Sequence, residues 1–361
     1  NAKVDLLNNN FASGTKDDTF YGIDNAIGTA QADTIYGGSG VNTIWAGSGA
    51  DTIYTGSGAD TIYGEAGDDI IHMQSVANSV GNFVDGGTGF DTVDYTDLAE
   101  RIVVNMQGVT EVQVQVGNTA NHHTITNIEN VIGSSHNDTI SGNSGINTLI
   151  GGAGNDKFVA TKGSDTYYGG ILAGTTHTVA NGESNSVDYS NASKVYADLS
   201  STTTDANGNN YSQALKSNSS TNDGFSSNIE STDSLYGIAN IKGSSSFDTL
   251  IGNELSNTLE GMAGDDILEG KGGDDLLIGG DGDDRFIATS YNDGKDTIDG
   301  GTGNDTIDYS KLGSSNAINI TLAEADIYAT VTVTGGDNDI VKNIENRFFF
   351  LLKILRNSES R

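Results

Sequence analysis

A nine-residue repeat is the feature that most constrains the fold of this 361-residue chain. From Gly28 the sequence reads GTAQADTIY, GGSGVNTIW, AGSGADTIY, TGSGADTIY and GEAGDDIIH without a break in register. A second array of four units starts at Gly133, and a third array of five units starts at Gly243. A last unit, GGTGNDTID, begins at Gly300 after a three-residue slip. A short fixed period predicts a solenoid, because each unit buries its apolar side only against neighbouring units.

Each unit divides into a six-residue turn ending in Asp or Asn and a three-residue strand with an apolar centre. Two units then form one flattened coil of eighteen residues, and coils stack as parallel strands about 4.8 Å apart. The absence of proline agrees with this, because stacked strands need every backbone N–H. The central residues are predicted to point inward as a thin core: Ile35, Ile44, Ile53, Ile62, Ile71, Ile140, Leu149, Phe158, Tyr167, and the apolar residues at nine-residue spacing from Leu250 to Phe286.

Stacking also predicts columns of acidic residues. Aspartates eighteen apart become neighbours, as Asp33 with Asp51 and Asp51 with Asp69. Two carboxylates ~5 Å apart repel by roughly 3 kcal/mol at an effective dielectric of 20, so the roll is not expected to close without a counter-ion. A divalent cation held by carboxylates and turn carbonyls would have an all-oxygen shell, which favours calcium over magnesium.

The units GGAGNDKFV and GGTGNDTID match the pattern GGxGxDxUx at every defined position, where U is a large apolar residue. The chain therefore resembles the RTX (repeats-in-toxin) family of calcium-binding nonapeptides. The resemblance implies an all-β, right-handed parallel β-roll or β-solenoid with calcium in its turns, on the order of ten ions, and export by a type I secretion system before folding outside the cell.

The resemblance also assigns the metal ligands to the last residue and the glycines of each turn. In the first array and the unit after it these are Asp33, Gly37, Gly38, Gly40, Asn42, Asp51, Asp60, Asp69, Gly86, Gly87, Gly89 and Asp91. In the second array they are Asp138, Asn147, Gly151, Gly152, Gly154, Asp156 and Asp165. In the third array they are Asp248, Asn257, Gly264, Asp266, Gly273, Asp275, Gly282, Asp284, Asp296, Gly300, Gly301, Gly303 and Asp305.

Some turns depart from the family pattern. Asn42, Asn147 and Asn257 replace the aspartate, and Gly133 and Gly243 begin GSS turns. We expect weak or empty sites at these turns, because an amide brings no charge and a missing glycine restricts the turn.

A longer period encloses the short one. Sequences of the type Ile-x-Asn precede each array, as in Asn127–Asn130, and Asp-Tyr-Thr or Asp-Tyr-Ser follows each array, as in Asp94–Thr96. The predicted organisation is one solenoid of three modules joined by longer, calcium-poor β coils. Its parts are an N-terminal coil or cap (1–27), arrays at 28–96, 133–190 and 243–310, connecting β segments at 97–132, 191–242 and 311–346, and an atypical hydrophobic tail (347–361). The Ser/Thr/Asn-rich stretch 200–227 is expected to loop out.

Composition narrows the function further. A formal net charge of -32 argues against a nucleic-acid partner, and the absence of cysteine excludes disulfides and thiolate zinc sites. No apolar run reaches the length of a membrane span. The sequence shows no N-terminal signal pattern, and the tail is interpreted as a cap, a secretion-signal remnant or an artefact of where the sequence was cut.

The sequence offers little for catalysis. Its five histidines form no metal-ligand spacing, and it contains no GxSxG elbow and no P-loop. His122 and His123 are interpreted as solvated residues of a polar loop. The abundant carboxylate pairs are explained by calcium, so the chain is predicted not to be an enzyme.

Outward aromatic residues form a candidate ligand or assembly surface. Tyr36 is expected to stack on Tyr54, and Trp45 on Tyr63, because alternate units share a sheet. Such a strip has two interpretations, glycan or self-association surface and simple strand preference.

These observations predict a secreted or surface-displayed, calcium-dependent structural scaffold: an adhesin stalk, a surface-layer subunit or a filament subunit. The alternative is the non-catalytic calcium-binding C-terminal region of a secreted toxin, lipase, protease or polysaccharide epimerase. A third hypothesis is binding of ice or glycan by the threonine or aromatic ladders.

Overall fold

The computed structural model describes residues 2–5, 10–13, 16–19, 24–74, 81–108, 110–118, 122–180, 182–217, 229–290, 293–312, 318–322, 329–333, 336–344 and 346–348. These residues form 37 β-strands and no helix. Three features named above fall wholly or partly outside the described residues. They are positions 21–23 before the first array, residues 218–228 of the polar stretch, and residues 349–361 of the tail.

The strands are short, as the repeat requires. The first twenty-two are β1 (Ala2–Asp5), β2 (Asn10–Ser13), β3 (Lys16–Thr19), β4 (Asn25–Thr29), β5 (Thr34–Tyr36), β6 (Thr43–Ser48), β7 (Thr52–Tyr54), β8 (Thr61–Ala66), β9 (Ile70–His72), β10 (Phe83–Asp85), β11 (Thr92–Asp94), β12 (Ile102–Asn105), β13 (Glu111–Val116), β14 (His122–Thr126), β15 (Asn130–Ile132), β16 (Thr139–Ser141), β17 (Thr148–Ile150), β18 (Lys157–Val159), β19 (Thr166–Tyr168), β20 (Ile171–Ala173), β21 (Thr176–Thr178) and β22 (Asn185–Asp188). The others are β23 (Val195–Thr204), β24 (Asn210–Ser217), β25 (Ile229–Tyr236), β26 (Ile238–Lys242), β27 (Thr249–Ile251), β28 (Thr258–Ala263), β29 (Ile267–Glu269), β30 (Leu276–Asp281), β31 (Arg285–Ile287), β32 (Thr297–Thr302), β33 (Thr306–Asp308), β34 (Ile318–Leu322), β35 (Ala329–Val333), β36 (Asn338–Lys342) and β37 (Asn346–Phe348).

The chain divides into two compact units. Unit 1 comprises 1–188, 203–211 and 231–238, and unit 2 comprises 189–202, 212–230 and 239–361. In unit 1, β5, β7 and β9 pair in parallel with Ile35 opposite Ile53 and Ile53 opposite Ile71. In unit 2, β27, β29 and β31 pair in parallel with Leu250 opposite Leu268 and Leu268 opposite Phe286. Strand partners in the arrays are therefore eighteen residues apart, and the predicted parallel β-roll is confirmed.

The core is the predicted row of central strand residues. Ile35, Ile44, Ile53, Ile62 and Ile71 are all fully buried. The corresponding residues of the other two arrays are buried as well, including Ile140, Leu149, Phe158, Tyr167, Leu250, Leu259, Leu268, Leu277 and Phe286. Strands β5 and β7 show the burial pattern intermediate, buried, intermediate, because neighbouring strand residues point to opposite faces.

The connecting segments continue the same stack. In unit 1, β12 pairs in parallel with β16, β14 pairs in parallel with β10, and β13 runs antiparallel between β12 and β14. In unit 2, β36 pairs in parallel with β32 after the antiparallel strands β34 and β35. Each of these segments therefore adds a longer coil that contains a hairpin.

The part of the polar stretch 200–227 that the structure describes, residues 200–217, forms two strands joined by a turn. Residues up to Thr204 belong to β23, residues from Asn210 belong to β24, and a tight turn joins them where Asp205 N–H donates to Asn209 O at 2.9 Å. Serine and threonine satisfy a backbone ladder as well as other residues do, so a polar composition did not prevent strand formation.

Residues in left-handed backbone conformation precede the arrays. Asn127 and Asn343, with φ of 50° and 54°, stand at equivalent positions, and Gly237 has φ of 64°. The Asn127 side chain donates to Asp85 Oδ1 at 2.7 Å, and that of Asn343 donates to Asp299 Oδ1 at 2.7 Å. The same side-chain hydrogen bond therefore holds Asn127 and Asn343, whereas Gly237 adopts this conformation without a side chain.

The aspartates that follow the arrays form ion pairs with basic residues of the preceding coil. Asp94 accepts from Thr96 N at 2.8 Å and pairs with His72 at 2.8 Å, and its pKa is lowered chiefly by hydrogen bonds from His72 and Thr96, against the effect of burial. Asp188 pairs with Lys157 at 2.7 Å, and Asp308 pairs with Arg285. Among the described residues we find no helix with the length and apolar composition of a membrane span.

Candidate calcium sites in the stacked turns

The aspartate that ends a turn contacts the preceding coil through one carboxylate oxygen. The backbone N–H of Asp33 donates to Asp51 Oδ1 at 2.6 Å, and that of Asp51 donates to Asp69 Oδ1 at 2.7 Å. In unit 2, Asp248 and Asp266 make the same contact at 2.7 Å. The structure therefore brings together the predicted pairs, and Oδ1 of each carboxylate is used by the fold itself.

In eight of the turns the other carboxylate oxygen has no hydrogen-bond partner. Each residue is at most 3% exposed, so the oxygen is shielded from water as well. The oxygens are Oδ2 of Asp51, Asp60, Asp69, Asp91, Asp156, Asp266, Asp275 and Asp284. A buried anionic oxygen without a partner carries a large desolvation cost unless a cation compensates it.

Burial raises the pKa of these carboxyls. The pKa of Asp69 rises to about 7, mainly because burial disfavours the charged form and also because Asp91 and Asp51 are close. The pKa of Asp156 rises to about 7 for the same main reason. The largest rise is at Asp266, to about 9, where Asp248 and Asp284 add like charge to the effect of burial. These sites therefore bind protons in place of a cation when no metal is present.

Glycine allows carbonyl oxygens to approach the turns. Gly152 has φ of 96°, and a Cβ at this position would lie 2.1 Å from Ser134 O of the neighbouring coil. Such a turn offers carboxylate and carbonyl oxygens together, which is the donor set that calcium prefers.

Seven predicted ligand residues are bound differently. Asp33, Asp138 and Asp248 accept a backbone hydrogen bond at Oδ2 from Thr29, Ser134 and Ser244 at 2.5 to 2.6 Å. Asp165 Oδ2 accepts from the hydroxyls of Thr161 at 2.8 Å and Tyr167 at 3.1 Å. The remaining three are the amides Asn42, Asn147 and Asn257, each of which donates Nδ2 to a carbonyl of the preceding coil.

The columns continue beyond the nonapeptides through residues that the sequence analysis did not identify. Asp60 N–H donates to Asn82 Oδ1 at 2.9 Å, and Asp91 N–H donates to Glu129 Oε2 at 3.0 Å. Asn185, Asp233 and Asp339 accept in the same way from Asp156, Asp165 and Asp296. A polar residue two places before an inward apolar residue, as in Asn82-Phe-Val84, is a signal that would have found them.

His123 corrects the interpretation of the His122–His123 pair as solvated loop residues. His123 lies in β14, is 2% exposed, and its Nδ1 accepts the N–H of Asn82 at 3.0 Å. Burial lowers its pKa to about 4, so the neutral ring ends this column without a charge.

The outward aromatic residues stack as predicted. Tyr36 and Tyr54 have ring centroids 4.6 Å apart with an interplanar angle of 2°, and Trp45 and Tyr63 lie 5.9 Å apart at 12°. His72 extends the first strip, 4.4 Å from Tyr54 at 7°. The ring faces therefore cover each other, and ring edges are what the strip presents outward.

Within the described ranges, no three His, Cys, Asp or Glu side chains already surround a common metal position. The parallel roll, its eighteen-residue coils and its buried unpaired carboxylate oxygens define the class of calcium-binding β-rolls.

Comparison with known proteins identifies the repeats. The family model described as "RTX calcium-binding nonapeptide repeat (4 copies)" matches residues 18–53, 45–72, 132–170, 251–286 and 290–309. These stretches of the chain therefore carry RTX calcium-binding nonapeptide repeats, which supports the resemblance predicted from the sequence.

One solved structure among those that match is the crystal structure of extracellular lipase LipA from Serratia marcescens. It shares 16% sequence identity, with a TM-score of 0.19 over 87% of this chain and 38% of the lipase chain. The matched region of this chain thus spans well under half of the lipase. No curated protein matches the chain.

Proposed function

We propose that this chain is a calcium-dependent extracellular scaffold that folds when it meets calcium after secretion and serves as an adhesin stalk, a surface-layer subunit or a filament subunit. The observation that supports it is the set of buried carboxylate oxygens without partners, repeated coil after coil. A scaffold needs a rigid element that repeats, and the ions would supply the rigidity.

The size of the calcium effect follows from mass action. If the sites have dissociation constants near 10⁻⁴ M, as extracellular calcium modules do, millimolar calcium stabilises the fold by ~1.4 kcal/mol per site. Cytosolic free calcium is far lower, so this stabilisation nearly vanishes there and the chain stays competent for export.

Circular dichroism during a calcium titration, with sedimentation of the same samples, tests the proposal. We expect β signal and melting temperature to rise with calcium, and sedimentation to report assembly once the chain is folded. An unchanged signal and melting temperature after exhaustive chelation would contradict calcium-dependent folding. A folded chain that stays monomeric at all concentrations would contradict the filament and layer roles.

The same fold would also serve as the non-catalytic C-terminal region of a secreted toxin, lipase, protease or polysaccharide epimerase. The sequence adjoining Asn1 in the full-length gene product discriminates, since an enzyme requires a catalytic domain there. The outward aromatic residues are also proposed as a surface for glycan binding or self-association. Their rings stack on one another, so they would meet a partner with their edges. Tyr54→Ser with Tyr63→Ser is expected to abolish assembly or glycan adsorption, and unchanged behaviour would refute it.

A further inference from the structure

The turns of the arrays adopt two backbone conformations that differ at the second of their six residues. In unit 1 the second residue is left-handed at Gly47, Gly56, Glu65, Gly87 and Gly152, with φ between 74° and 110°. In unit 2 it is left-handed at Met262, Lys271, Gly280 and Gly301, with φ between 78° and 118°. In the seven other turns whose second residue the structure describes, that residue does not have a positive φ. These second residues are Thr29, Gly38, Ser134, Asn143, Thr161, Ser244 and Asn253.

This division coincides with the hydrogen bonding of the last residue of the turn. Every carboxylate Oδ2 without a partner, among the eight named above, belongs to a left-handed turn. In five of the seven turns of the other conformation the second N–H donates to the last side chain, as from Ser134 to Asp138 Oδ2 at 2.6 Å and from Asn253 to Asn257 Oδ1 at 2.8 Å. Of the other two, Thr161 donates to Asp165 through its hydroxyl, and Asn147 Oδ1 has no partner. The Ser134 hydroxyl adds a bond to Asp138 Oδ1 at 3.1 Å, so both carboxylate oxygens are satisfied by the chain.

The asparagine turns replace a cation by an amide donor. Asn42 Nδ2 donates to Asp24 O at 2.7 Å, Asn147 Nδ2 to Glu129 O at 2.8 Å, and Asn257 Nδ2 to Ala239 O at 2.7 Å. Each acceptor is the middle residue of the Ile-x-Asn sequence that precedes the array. An N–H donor thus lies against a carbonyl at the place where a carboxylate would need an ion between the two oxygens.

Resting on the proposed calcium binding, we propose that the second residue of each turn decides whether the turn takes calcium, and that the left-handed turns are the calcium turns. Each array then opens with one coil that binds no metal, closed by Ser or Thr on one edge and Asn on the other. The second array has a further closed turn, at Thr161–Asp165, and keeps one calcium turn, that of Asp156. Calcium loading is therefore concentrated in the first and third arrays.

The test counts bound calcium on the full chain by equilibrium dialysis with ⁴⁵Ca²⁺. Asn42→Asp, Asn147→Asp and Asn257→Asp each replace the amide donor by a second carboxylate oxygen facing a carbonyl. Because the second residue of each of these turns keeps its backbone conformation, we expect the calcium count of wild type and a lower melting temperature, since the new carboxylate oxygen gains neither a donor nor an ion. The control Asn118→Asp adds the same charge on an exposed residue that pairs with Arg101, away from the columns, and should leave the count unchanged.

A second variant pair protects the test against misfolding. Thr161→Gly with Tyr167→Phe removes both hydroxyl donors to Asp165 and is expected to raise the count by one, whereas Asp156→Asn is expected to lower it by one. Wild-type protein that binds no calcium refutes the proposed function itself. Wild-type protein that binds calcium, with an added ion in the Asn→Asp variants or with an unchanged count in the Thr161→Gly variant, refutes the assignment of turns while leaving calcium binding intact.

Discussion

Asp69 Oδ1 accepts a hydrogen bond from the backbone N–H of Asp51 at 2.7 Å, while Asp69 Oδ2 is buried without a partner. One carboxylate therefore has two separable tasks, a structural one for Oδ1 and an ionic one for Oδ2. A neutral amide performs the first task alone, as Asn82 does for the N–H of Asp60 at 2.9 Å.

Substitution of Asp69 separates these tasks. Asp69→Asn keeps an acceptor for Asp51 N–H and removes the charge, so we expect one fewer bound calcium and an unfolding free energy in chelator no lower than wild type. Asp69→Ala leaves that N–H unpaired and is expected to cost about 1–3 kcal/mol with or without calcium. Thermal melts in both conditions provide the measurement, and equal behaviour of the two variants would contradict the division of roles.

Glycine substitution at strained turn positions is expected to stabilise the protein. Glu65 and Met262 hold φ of 74° and 84°, a conformation that costs a residue with a side chain roughly 1–2 kcal/mol. Glu65→Gly or Met262→Gly relieves this strain but increases the entropy of the unfolded chain, which leaves a net gain of about 0.5–1 kcal/mol. Glu111→Gly, in strand β13, is the matched control and should destabilise. Chemical denaturation in saturating calcium measures the free energy of unfolding of each variant. A lower value for Glu65→Gly and Met262→Gly than for wild type would contradict the prediction.

Protonation of the buried aspartates is expected to stabilise the calcium-free fold in part, as calcium does. The pKa values of Asp69, Asp156 and Asp284 are raised to about 7 by burial, from an ordinary value of 3.8 in the unfolded chain. The calcium-free folded state therefore binds more protons than the unfolded state between about pH 4 and pH 7, and its stability falls as the pH rises through this window.

The corresponding measurement is a series of melts from pH 5 to pH 8 in buffers stripped of calcium. The melting temperature should be highest at pH 5. In the presence of calcium the melting temperature should no longer be highest at pH 5, because protons compete with the ion for the same carboxylates and weaken its binding at low pH. A calcium-free melting temperature that is flat or rises with pH would contradict burial of the unpaired carboxylates.

Core truncation should be costly only on the inward side of a strand. Ile53 is fully buried, and Ile70 on a neighbouring strand of the same sheet is 40% exposed. Ile53→Ala is expected to cost about 2–5 kcal/mol, because it removes packing and leaves a cavity. Ile70→Ala should cost much less. Calcium-saturated denaturation curves of the two variants check this, and similar losses would mean that the inward row is not the core.

The sequence alone determined the roll, its eighteen-residue coils, its inward row from Ile35 to Phe286 and the pairing of aspartates such as Asp33 with Asp51. These follow from a strict period, since each nonapeptide repeats both the turn chemistry and the apolar position. The division into modules at the stated boundaries, and the assignment of individual calcium ligands, remain predictions.

Only the tertiary structure decided what happens where the period is interrupted and which oxygens are left over. Asn82 and His123 join a column although 41 residues separate them, because the intervening hairpin returns the chain to the same edge of the roll. Asp138 and Asp156 occupy equivalent positions in their nonapeptides, yet Asp138 has donors for both oxygens and Asp156 Oδ2 has none. Backbone conformation at the second turn residue and contacts between coils set that difference. Both depend on atoms that are distant in the chain and meet only when the coils stack.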